Sequence, residues 1–214
     1  MIDFFLQGGI FMFFLVALSI LALGVIIWRG YALRRSAVLP QNLIEAIEKF
    51  RPEEPPTKLL QLVDKQTAPL AIVIRVLLGH IHWPIEEARE AVQTTARREI
   101  AHLEKGLVFL EMATGVAPLF GLLGTLSGLV NVFANLGEGG DPAQVARGIS
   151  EALNTTIVGL SVAAPSLVAY HYFVRKVEMM SIEMESLLGD LVIKLFQLQK
   201  QTSNQTKKTT HLEE

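Results

Sequence analysis

The sequence predicts an all-α integral membrane protein with three transmembrane helices. Half of its 214 residues are hydrophobic, 19% are charged, and the mean hydropathy is +0.39. Three stretches contain no Asp, Glu, Lys or Arg, and they are residues 4–28, 112–137 and 152–174. Each is longer than the roughly 20 apolar residues with which a helix crosses a bilayer core. This balance argues against a soluble enzyme and indicates a chain that is solvated largely by lipid.

Composition also excludes several kinds of site and partner. The chain has no cysteine, which excludes disulfides, thiolate catalysis, iron–sulfur clusters and cysteine zinc sites. A formal net charge of −2 and an isoelectric point of 6.2 provide no basic excess for a polyphosphate, so we expect no nucleic acid partner. Nothing in the composition indicates a cofactor, and we expect none.

The distribution of basic residues predicts how the chain crosses the membrane. Of the 19 Lys and Arg residues, twelve lie between Arg29 and Lys105, six follow Val174, and only Arg147 lies between the second and third spans. Basic residues in short flanks stay on the cytoplasmic side during insertion. We therefore expect a periplasmic N-terminus, a periplasmic connection between spans two and three, and a cytoplasmic C-terminus.

Residues 1–28 are predicted to form the first transmembrane helix. Asp3 stands where a cleavable signal peptide has basic residues, so this segment is expected to stay in the protein. Its side chains are almost uniformly Leu, Ile, Phe and Val, with Gln7 and Ser19 as the clearly polar exceptions. We therefore expect this helix to face lipid.

Residues 29–105 are predicted to form a cytoplasmic helical domain divided by prolines. Pro40 is expected to begin one helix, the run 52–56 to end it, and a second helix to cover 58–79. A third helix begins at Pro84, whose ring suits the first helical turn. No helix breaker follows until Gly106, and a lone glycine is tolerated in a helix. The sequence thus predicts one continuous helix from Pro84 to about Asn135.

The remaining segments complete the three-span layout. Residues 106–137 form the second transmembrane helix, 138–148 a periplasmic loop, and 149–174 the third transmembrane helix. Residues 175–200 continue the third helix into the cytoplasm, so two of the three transmembrane helices extend far beyond the membrane. Residues 201–214 are polar, lack an apolar stripe, and are predicted to be disordered.

Small and hydroxylated residues recur on one face of spans two and three. They are Pro118, Gly121, Thr125 and Gly128 in span two, and Ala152, Thr156, Gly159 and Ala163 in span three. Steps of three and four residues place each set on one helix face. Close packing explains this pattern, because small residues let membrane helices approach and threonine hydroxyls bond the carbonyl one turn back. A neutral strip that lines a wet path, or hydrogen-bonds a carboxylic acid, explains it too.

Further polar residues favour the second explanation. They lie on the same two helices, and they are Asn131, Asn135, Asn154, Thr155 and Ser161. Between their end charges the spans hold one side chain that titrates near neutral pH, His171, near the cytoplasmic end. Proton relays through membranes usually need an ionisable group near mid-depth. If this chain moves protons, another chain must supply that group.

The edges and bends of these spans supply the remaining candidates. Glu151, at the outer edge of span three, either guides cations towards the path or is an interfacial carboxylate. Pro118 and Pro165 are expected to kink their helices or to serve in packing. The glycines expected to allow close helix packing are Gly121, Gly124, Gly128 and Gly159.

Other functions fit the sequence less well. The glycine-rich run 121–128 lacks the lysine and the preceding strand of a P-loop. A membrane-bound enzyme would depend on His80, His82 and His102, which provide neither a clustered acid and base nor the spacing of metal ligands, so no metal site is predicted. A non-conducting scaffold, whose small-residue faces only pack helices, stays open as an alternative.

The two polar spans resemble a known family. Residues 117–129 read APLFGLLGTLSGL, residues 148–160 read GISEALNTTIVGL, and Ala-Ala-Pro follows at 163–165. This pattern of spacing, small residues and prolines resembles the ExbB, TolQ and MotA proton-channel proteins of bacterial inner membranes, and ExbB most closely. The resemblance extends over about residues 4–198.

The resemblance implies an assembly and residue roles. It implies a homopentamer around two helices of a single-span ExbD- or TolR-like partner, whose membrane-embedded Asp faces Thr125 and Thr156. The glutamate of the family pattern corresponds to Glu151. The implied function is proton-driven work on a TonB-like periplasmic effector that energises outer-membrane transport. A TolQ-type subunit, acting through a TolA-like effector in envelope maintenance and division, is the alternative that the resemblance leaves open.

Overall fold

The computed structural model describes residues 9–51, 56–136 and 142–210, within which all regular secondary structure is helical. The helices are α1 (Gly9–Ala32), α2 (Arg35–Val38), α3 (Gln41–Lys49), α4 (Thr57–Asp64), α5 (Pro69–Gly79), α6 (Ile85–Glu104), α7 (Leu107–Leu136) and α8 (Pro142–Thr210). Asp3, Gln7, most of the 52–56 proline run and the beginning of the predicted periplasmic loop lie outside the described residues.

Three of these helices are long and apolar enough to cross a membrane. The candidate spans are Ile10–Ala32 in α1, Leu107–Ala134 in α7 and Pro142–Gln197 in α8. The predicted fold class, an all-α protein with three transmembrane helices, is therefore confirmed for the part of the chain that the structure describes. The chain is a multi-pass membrane protein.

A first compact unit, residues 1–31 and 105–174, contains α1, α7 and the first part of α8. Its core joins buried side chains from all three helices, namely Leu15, Ala117, Val162 and Ala163. Phe14 of α1 also stacks on Phe120 of α7, with the ring centroids 5.6 Å apart. Near the end of α1, the Arg29 guanidinium carbon lies 4.4 Å from the centroid of the Trp28 ring. This unit holds all the residues of the predicted site.

A second compact unit, residues 32–104 and 175–214, contains α2 to α6 and the rest of α8. Its helices bury apolar side chains such as Leu43, Ile47, Leu70, Ile74, Leu77 and Leu191. Basic side chains cap two helix ends, since Lys194 Nζ donates to Ile47 O at 3.1 Å and Arg75 Nη2 donates to Val63 O at 2.8 Å. Carbonyls in the last helical turn have no partner within their own helix, so these cations stabilise the ends of α3 and α4.

The prediction of one helix over 58–79 is wrong, because α4 and α5 divide this segment. Ala68 has φ −62° and ψ 145°, an extended conformation, and Pro69 begins α5. A proline ring disfavours the helical conformation in the residue before it. The break is therefore a local consequence of Pro69.

The prediction of a continuous helix from Pro84 to Asn135 is also wrong. The helix α6 ends at Glu104 and α7 begins at Leu107. Between them, Gly106 has a φ of 86°, which lies in the left-handed region. Glycine adopts this conformation readily because it has no Cβ, and a left-handed residue interrupts a right-handed helix.

The polar end of the chain is more helical than predicted. Disorder is predicted for residues 201–214, but the backbone of α8 continues to Thr210. A helix that has already formed adds each further residue without the cost of a new nucleus.

Candidate functional site

Helices α7 and α8 meet at glycines that leave no room for a side chain. A Cβ on Gly159 would lie 2.6 Å from the carbonyl oxygen of Ala117, and a Cβ on Gly121 would lie 3.0 Å from Thr156 Cα. A Cβ on Gly124 would lie 2.7 Å from Thr155 Oγ1, and a Cβ on Gly128 would lie 2.7 Å from Ala152 Cβ. The two backbones therefore make direct contact, as small residues allow between membrane helices.

Three threonine hydroxyls, those of Thr125, Thr155 and Thr156, form a hydroxyl cluster at this contact. Thr125 Oγ1 is hydrogen-bonded to Thr156 Oγ1 and lies 3.4 Å from Thr155 Oγ1. Each of the three hydroxyl oxygens lies 3.1 Å from the carbonyl oxygen of Gly121. The carbonyl oxygen of Ala152 lies 3.0 Å from Thr125 Oγ1 and 2.7 Å from Thr155 Oγ1. The cluster thus combines three donors with two backbone acceptors.

The three threonines differ in burial and in the carbonyls that they reach. Thr155 is 1% exposed and Thr125 is 9% exposed, whereas Thr156 is half-buried. Thr125 reaches the carbonyl one turn back in its own helix, as the packing explanation expects. Thr156 instead reaches the Gly121 carbonyl on the other helix. Thr156 is therefore the member of the cluster most open to a group outside these helices.

The other polar residues assigned to the predicted ion path, Glu151, Asn154 and Asn131, lie outside the cluster. Glu151 is half-buried, and its Oε1 accepts a hydrogen bond from Arg147 Nε at 3.0 Å, one turn earlier in α8. Asn154 is half-buried and directly precedes the threonine pair of α8, whereas Asn131 is exposed on α7. The ion pair with Arg147 gives Glu151 a partner within its own helix.

The prolines and histidines do not join the cluster either. Pro118 and Pro165 lie within α7 and α8, and both helices continue past them. His80 Nδ1 lies 2.7 Å from Val76 O, and its ring packs edge-on against Trp83 with centroids 4.3 Å apart. Within the described ranges, no three His, Cys, Asp or Glu side chains gather as ligands for a metal ion.

Thr155 is the member of the cluster that sequence analysis did not select. The pattern named it only among additional polar residues, because successive helical residues point about 100° apart and Thr156 fits the predicted face. The structure places Thr155 against Gly124, where the absent side chain admits its hydroxyl next to the α7 backbone. Two adjacent threonines opposite a glycine-rich helix are the signal that would have found it.

The hydroxyl cluster can donate and accept hydrogen bonds without carrying charge. A hydroxyl has one proton to donate and two lone pairs to accept with. From Met112 to Leu136 and from Ala152 to Val174, the sequence has no Asp, Glu, Lys or Arg. These stretches thus provide no acid of their own, and the hydroxyls can hydrogen-bond a carboxylic acid from outside them in either protonation state.

Comparisons with known proteins identify the family. The model of the MotA/TolQ/ExbB proton channel family matches residues 71–186. The biopolymer transport protein ExbB-like 1 of Synechocystis sp. is 36% identical over 182 residues, covering 81% of this chain and 70% of that protein. The Tol-Pal system protein TolQ of Pseudomonas aeruginosa is 37% identical over 98 residues, covering 45% of this chain and 42% of TolQ. The biopolymer transport protein ExbB of Helicobacter pylori is 40% identical over 81 residues, covering 37% of this chain and 56% of ExbB.

The family match includes the whole hydroxyl cluster and the four packing glycines of α7 and α8. The resemblance expected from the sequence is thus confirmed by a match over more than half of the chain and by a relative that aligns with most of it. The chain belongs to the MotA/TolQ/ExbB proton channel family and is a proton-channel subunit of an ExbB-like or TolQ-like system.

Proposed function

We propose that this chain is the ExbB-like subunit of a motor that converts proton-motive force into work on a periplasmic effector. In this proposal a single-span partner of the ExbD or TolR type supplies a membrane Asp, which faces Thr125 and Thr156. The observation that carries the proposal is the hydroxyl cluster, which is polar, lies between apolar helices and has no acid of its own. The partner's Asp supplies the carboxylate that residues 112–136 of α7 and 152–174 of α8 lack.

The physical role of the hydroxyls follows from the cost of a carboxylate in a membrane. A charged side chain at mid-depth is costly unless donors replace the water that it loses. A threonine hydroxyl donates to a carboxylate and accepts from a carboxylic acid. The cluster therefore stabilises both protonation states of the partner's Asp, which lets that residue load and release a proton at the same place.

The assembly and its energetics extend this proposal. The chain is taken to form a homopentamer in the bacterial inner membrane, with a periplasmic N-terminus and a cytoplasmic C-terminus, around two partner helices. Each proton that crosses 100 mV releases about 2.3 kcal/mol, so several protons are needed for a demanding conformational change. Glu151 and Asn154 lie near the threonines of α8, and Glu151, Asn154 and Asn131 are assigned to the proton path in this proposal.

The effector is either TonB-like or TolA-like. The ExbB-like relative aligns with 81% of this chain and the TolQ relative with 45%, which favours the TonB-type system that energises outer-membrane transport. A Tol-type system for envelope maintenance and division is the second candidate. Co-purification of the native complex, followed by mass spectrometry, distinguishes the two by the single-span partner and effector that it recovers.

Replacing Thr156 by Val tests the proposal, because valine keeps the shape of threonine and removes the hydroxyl. We expect proton flux through liposomes that contain this chain and its partner to fall about tenfold or more. A hydrogen bond to a charged group is worth about 1.5–3 kcal/mol, and 1.4 kcal/mol is about a factor of ten. The measurement is the rate of internal acidification at an imposed pH gradient.

The matched control is Ser166→Ala, which removes a buried hydroxyl of α8 that donates to Val162 O at 2.8 Å, outside the cluster. This variant is expected to conduct as the wild-type protein does. Unchanged flux in a normally assembled Thr156→Val complex would contradict the role of Thr156. If the wild-type complex conducts no protons, the chain is a non-conducting scaffold instead. Flux that survives Asp→Asn in the partner would contradict the role of the partner's Asp.

A further inference from the structure

We propose that Thr155 is a positioning residue that keeps the Thr156 hydroxyl ready to donate to an acid outside the cluster. This inference rests on the proposed function, in which that acid is the carboxylate of a partner helix. Thr155 itself is 1% exposed, so it does not reach a partner. Its effect must therefore pass through the hydrogen bonds of the cluster.

The cluster has more hydroxyl donors than free carbonyl lone pairs. A carbonyl oxygen has two lone pairs, and in an α-helix one of them accepts the N–H four residues later. The carbonyls of Gly121 and Ala152 lie inside α7 and α8, so each keeps one lone pair for a side chain. Three hydroxyl protons thus compete for two carbonyl lone pairs.

The distances indicate how this competition is resolved. Thr155 Oγ1 lies 2.7 Å from Ala152 O, the shortest contact between a hydroxyl and a carbonyl in the cluster. Thr155 therefore takes that acceptor. The remaining acceptor, Gly121 O, lies 3.1 Å from both Thr125 Oγ1 and Thr156 Oγ1. Only one of these two hydroxyls can use it.

Burial decides which hydroxyl is left over. Thr125 is 9% exposed, so its proton must be satisfied within the cluster, and Gly121 O is the carbonyl of its own helix one turn back. Thr156 is half-buried and is bonded to Thr125 Oγ1. With Thr125 donating to Gly121 O, the Thr156 proton donates to Thr125 Oγ1, so it can turn outward to a carboxylate by giving up this hydroxyl–hydroxyl bond while the two buried threonines keep their carbonyl acceptors.

Removal of the Thr155 hydroxyl would abolish this surplus. Ala152 O would become available to Thr125, whose Oγ1 already lies 3.0 Å away. Gly121 O would then serve Thr156 at 3.1 Å. Both remaining protons would be held by carbonyls, so donation by Thr156 to an outside acid would break a hydrogen bond to a carbonyl instead of the hydroxyl–hydroxyl bond that is given up in the wild-type protein.

The test compares Thr155→Val with Thr155→Ser in the complete complex with its partner, reconstituted in liposomes. Valine keeps the shape of threonine without the hydroxyl, whereas serine keeps the hydroxyl without the methyl group. We expect about a three- to tenfold loss of proton flux in Thr155→Val, the effect of about one neutral hydrogen bond, and near wild-type flux in Thr155→Ser. The opposite order, with serine the slower variant, would show a packing role for the methyl group and overturn the inference.

A double variant tests whether the effect of Thr155 depends on the surplus hydroxyl proton. When Thr125 is already replaced by Val, two hydroxyl protons face two carbonyl lone pairs and no surplus exists. Adding Thr155→Val to Thr125→Val should therefore reduce flux by less than it does in the wild-type protein, whereas additive losses would contradict the inference. Flux per assembled complex is compared throughout, and Ser166→Ala is the control.

The same liposomes separate this inference from the proposed function. If the wild-type complex conducts protons and loses conduction on Asp→Asn in the partner, the proposed function holds whatever Thr155 does. If Thr155→Val then conducts as the wild-type complex does, only the positioning role fails. If the wild-type complex does not conduct, the proposed function fails first.

Discussion

The helix α1 and the α7–α8 pair are all apolar enough to cross a membrane, but they make different contacts. In an apolar stretch of 18 residues from each helix, 17% of the residues are buried in α1, 33% in α7 and 28% in α8. Large side chains such as Phe13, Ile20 and Ile27 are exposed on α1, and they are at least two-thirds exposed. In α7 and α8, glycines bring the backbones into contact around three hydroxyls.

This difference shows that membrane insertion and helix pairing depend on different residues. Apolar side chains of any shape suffice to keep a helix in lipid, because lipid tails are as apolar as leucine. Close pairing instead requires small residues at the contact and partners for every polar group. Matched substitutions at close contacts and at open positions separate these two requirements.

The largest effect is expected for Gly159→Ala, compared with Gly24→Ala in α1. A Cβ at Gly159 would lie 2.6 Å from Ala117 O, whereas nothing lies within 4 Å of a Cβ at Gly24. Overpacking of this kind costs about 1–3 kcal/mol. We expect Gly159→Ala to lower the free energy of unfolding by about that amount in detergent, measured by circular dichroism against a denaturant. Equal stability of the two variants would contradict the backbone contact of α7 with α8.

A somewhat smaller loss is expected for Gly106→Ala, which tests the junction where α7 begins. Gly106 has a φ of 86°, and a Cβ there would lie 3.1 Å from Arg29 Nε of α1. The left-handed conformation costs a residue with a Cβ about 1–2 kcal/mol. In α7 itself, Gly115→Ala should be neutral or stabilising, since nothing lies within 4 Å of its Cβ and alanine favours helix. If Gly106→Ala is as stable as Gly115→Ala, or more stable, the junction tolerates a residue in the right-handed conformation.

The smallest effect is expected for Phe120→Leu, which tests the contact of α1 with the pair. Phe120 stacks on Phe14 with centroids 5.6 Å apart, whereas Phe133 on the same helix is 64% exposed. Stacked aromatic pairs contribute about 0.5–1.5 kcal/mol beyond the area that they bury. Phe120→Leu should therefore unfold at a lower denaturant concentration than Phe133→Leu. If the two unfolding curves coincide, the ring contact does not stabilise the packing of α1 against the pair.

Much of the fold follows from the sequence because the strongest signals are local. Charge-free stretches longer than a bilayer core predicted all three spans, and Pro40 and Pro84 predicted where two helices begin. The errors lie where a single residue decides the outcome. A lone glycine such as Gly106 is tolerated in a helix, so the sequence does not predict a break there. In the structure Gly106 is left-handed, and a Cβ on it would lie close to the side chains of Arg29 and Trp28. Pro69, which begins α5, is a second residue of this kind.

The candidate site was predictable only in part. Threonine and glycine spacing placed Thr125 and Thr156 each on the small-residue face of its own helix, and the structure brings their hydroxyls into contact. Thr155 was not selected, because its place depends on how α8 is rotated against Gly124, and no pattern within one helix specifies that rotation. The ion pair of Glu151 with Arg147 could have been read from their spacing of four residues.

The neutrality of α7 and α8 at mid-depth has a consequence for biosynthesis. An Asp, Lys or Arg at the centre of a nascent helix opposes translocon insertion by about 2.5–3.5 kcal/mol, whereas a threonine that bonds its own backbone opposes it far less. These helices can thus enter the membrane as ordinary hydrophobic segments during translation. In the complex proposed above, the acidic segment belongs to a separate gene product, which can be incorporated after these helices have been inserted.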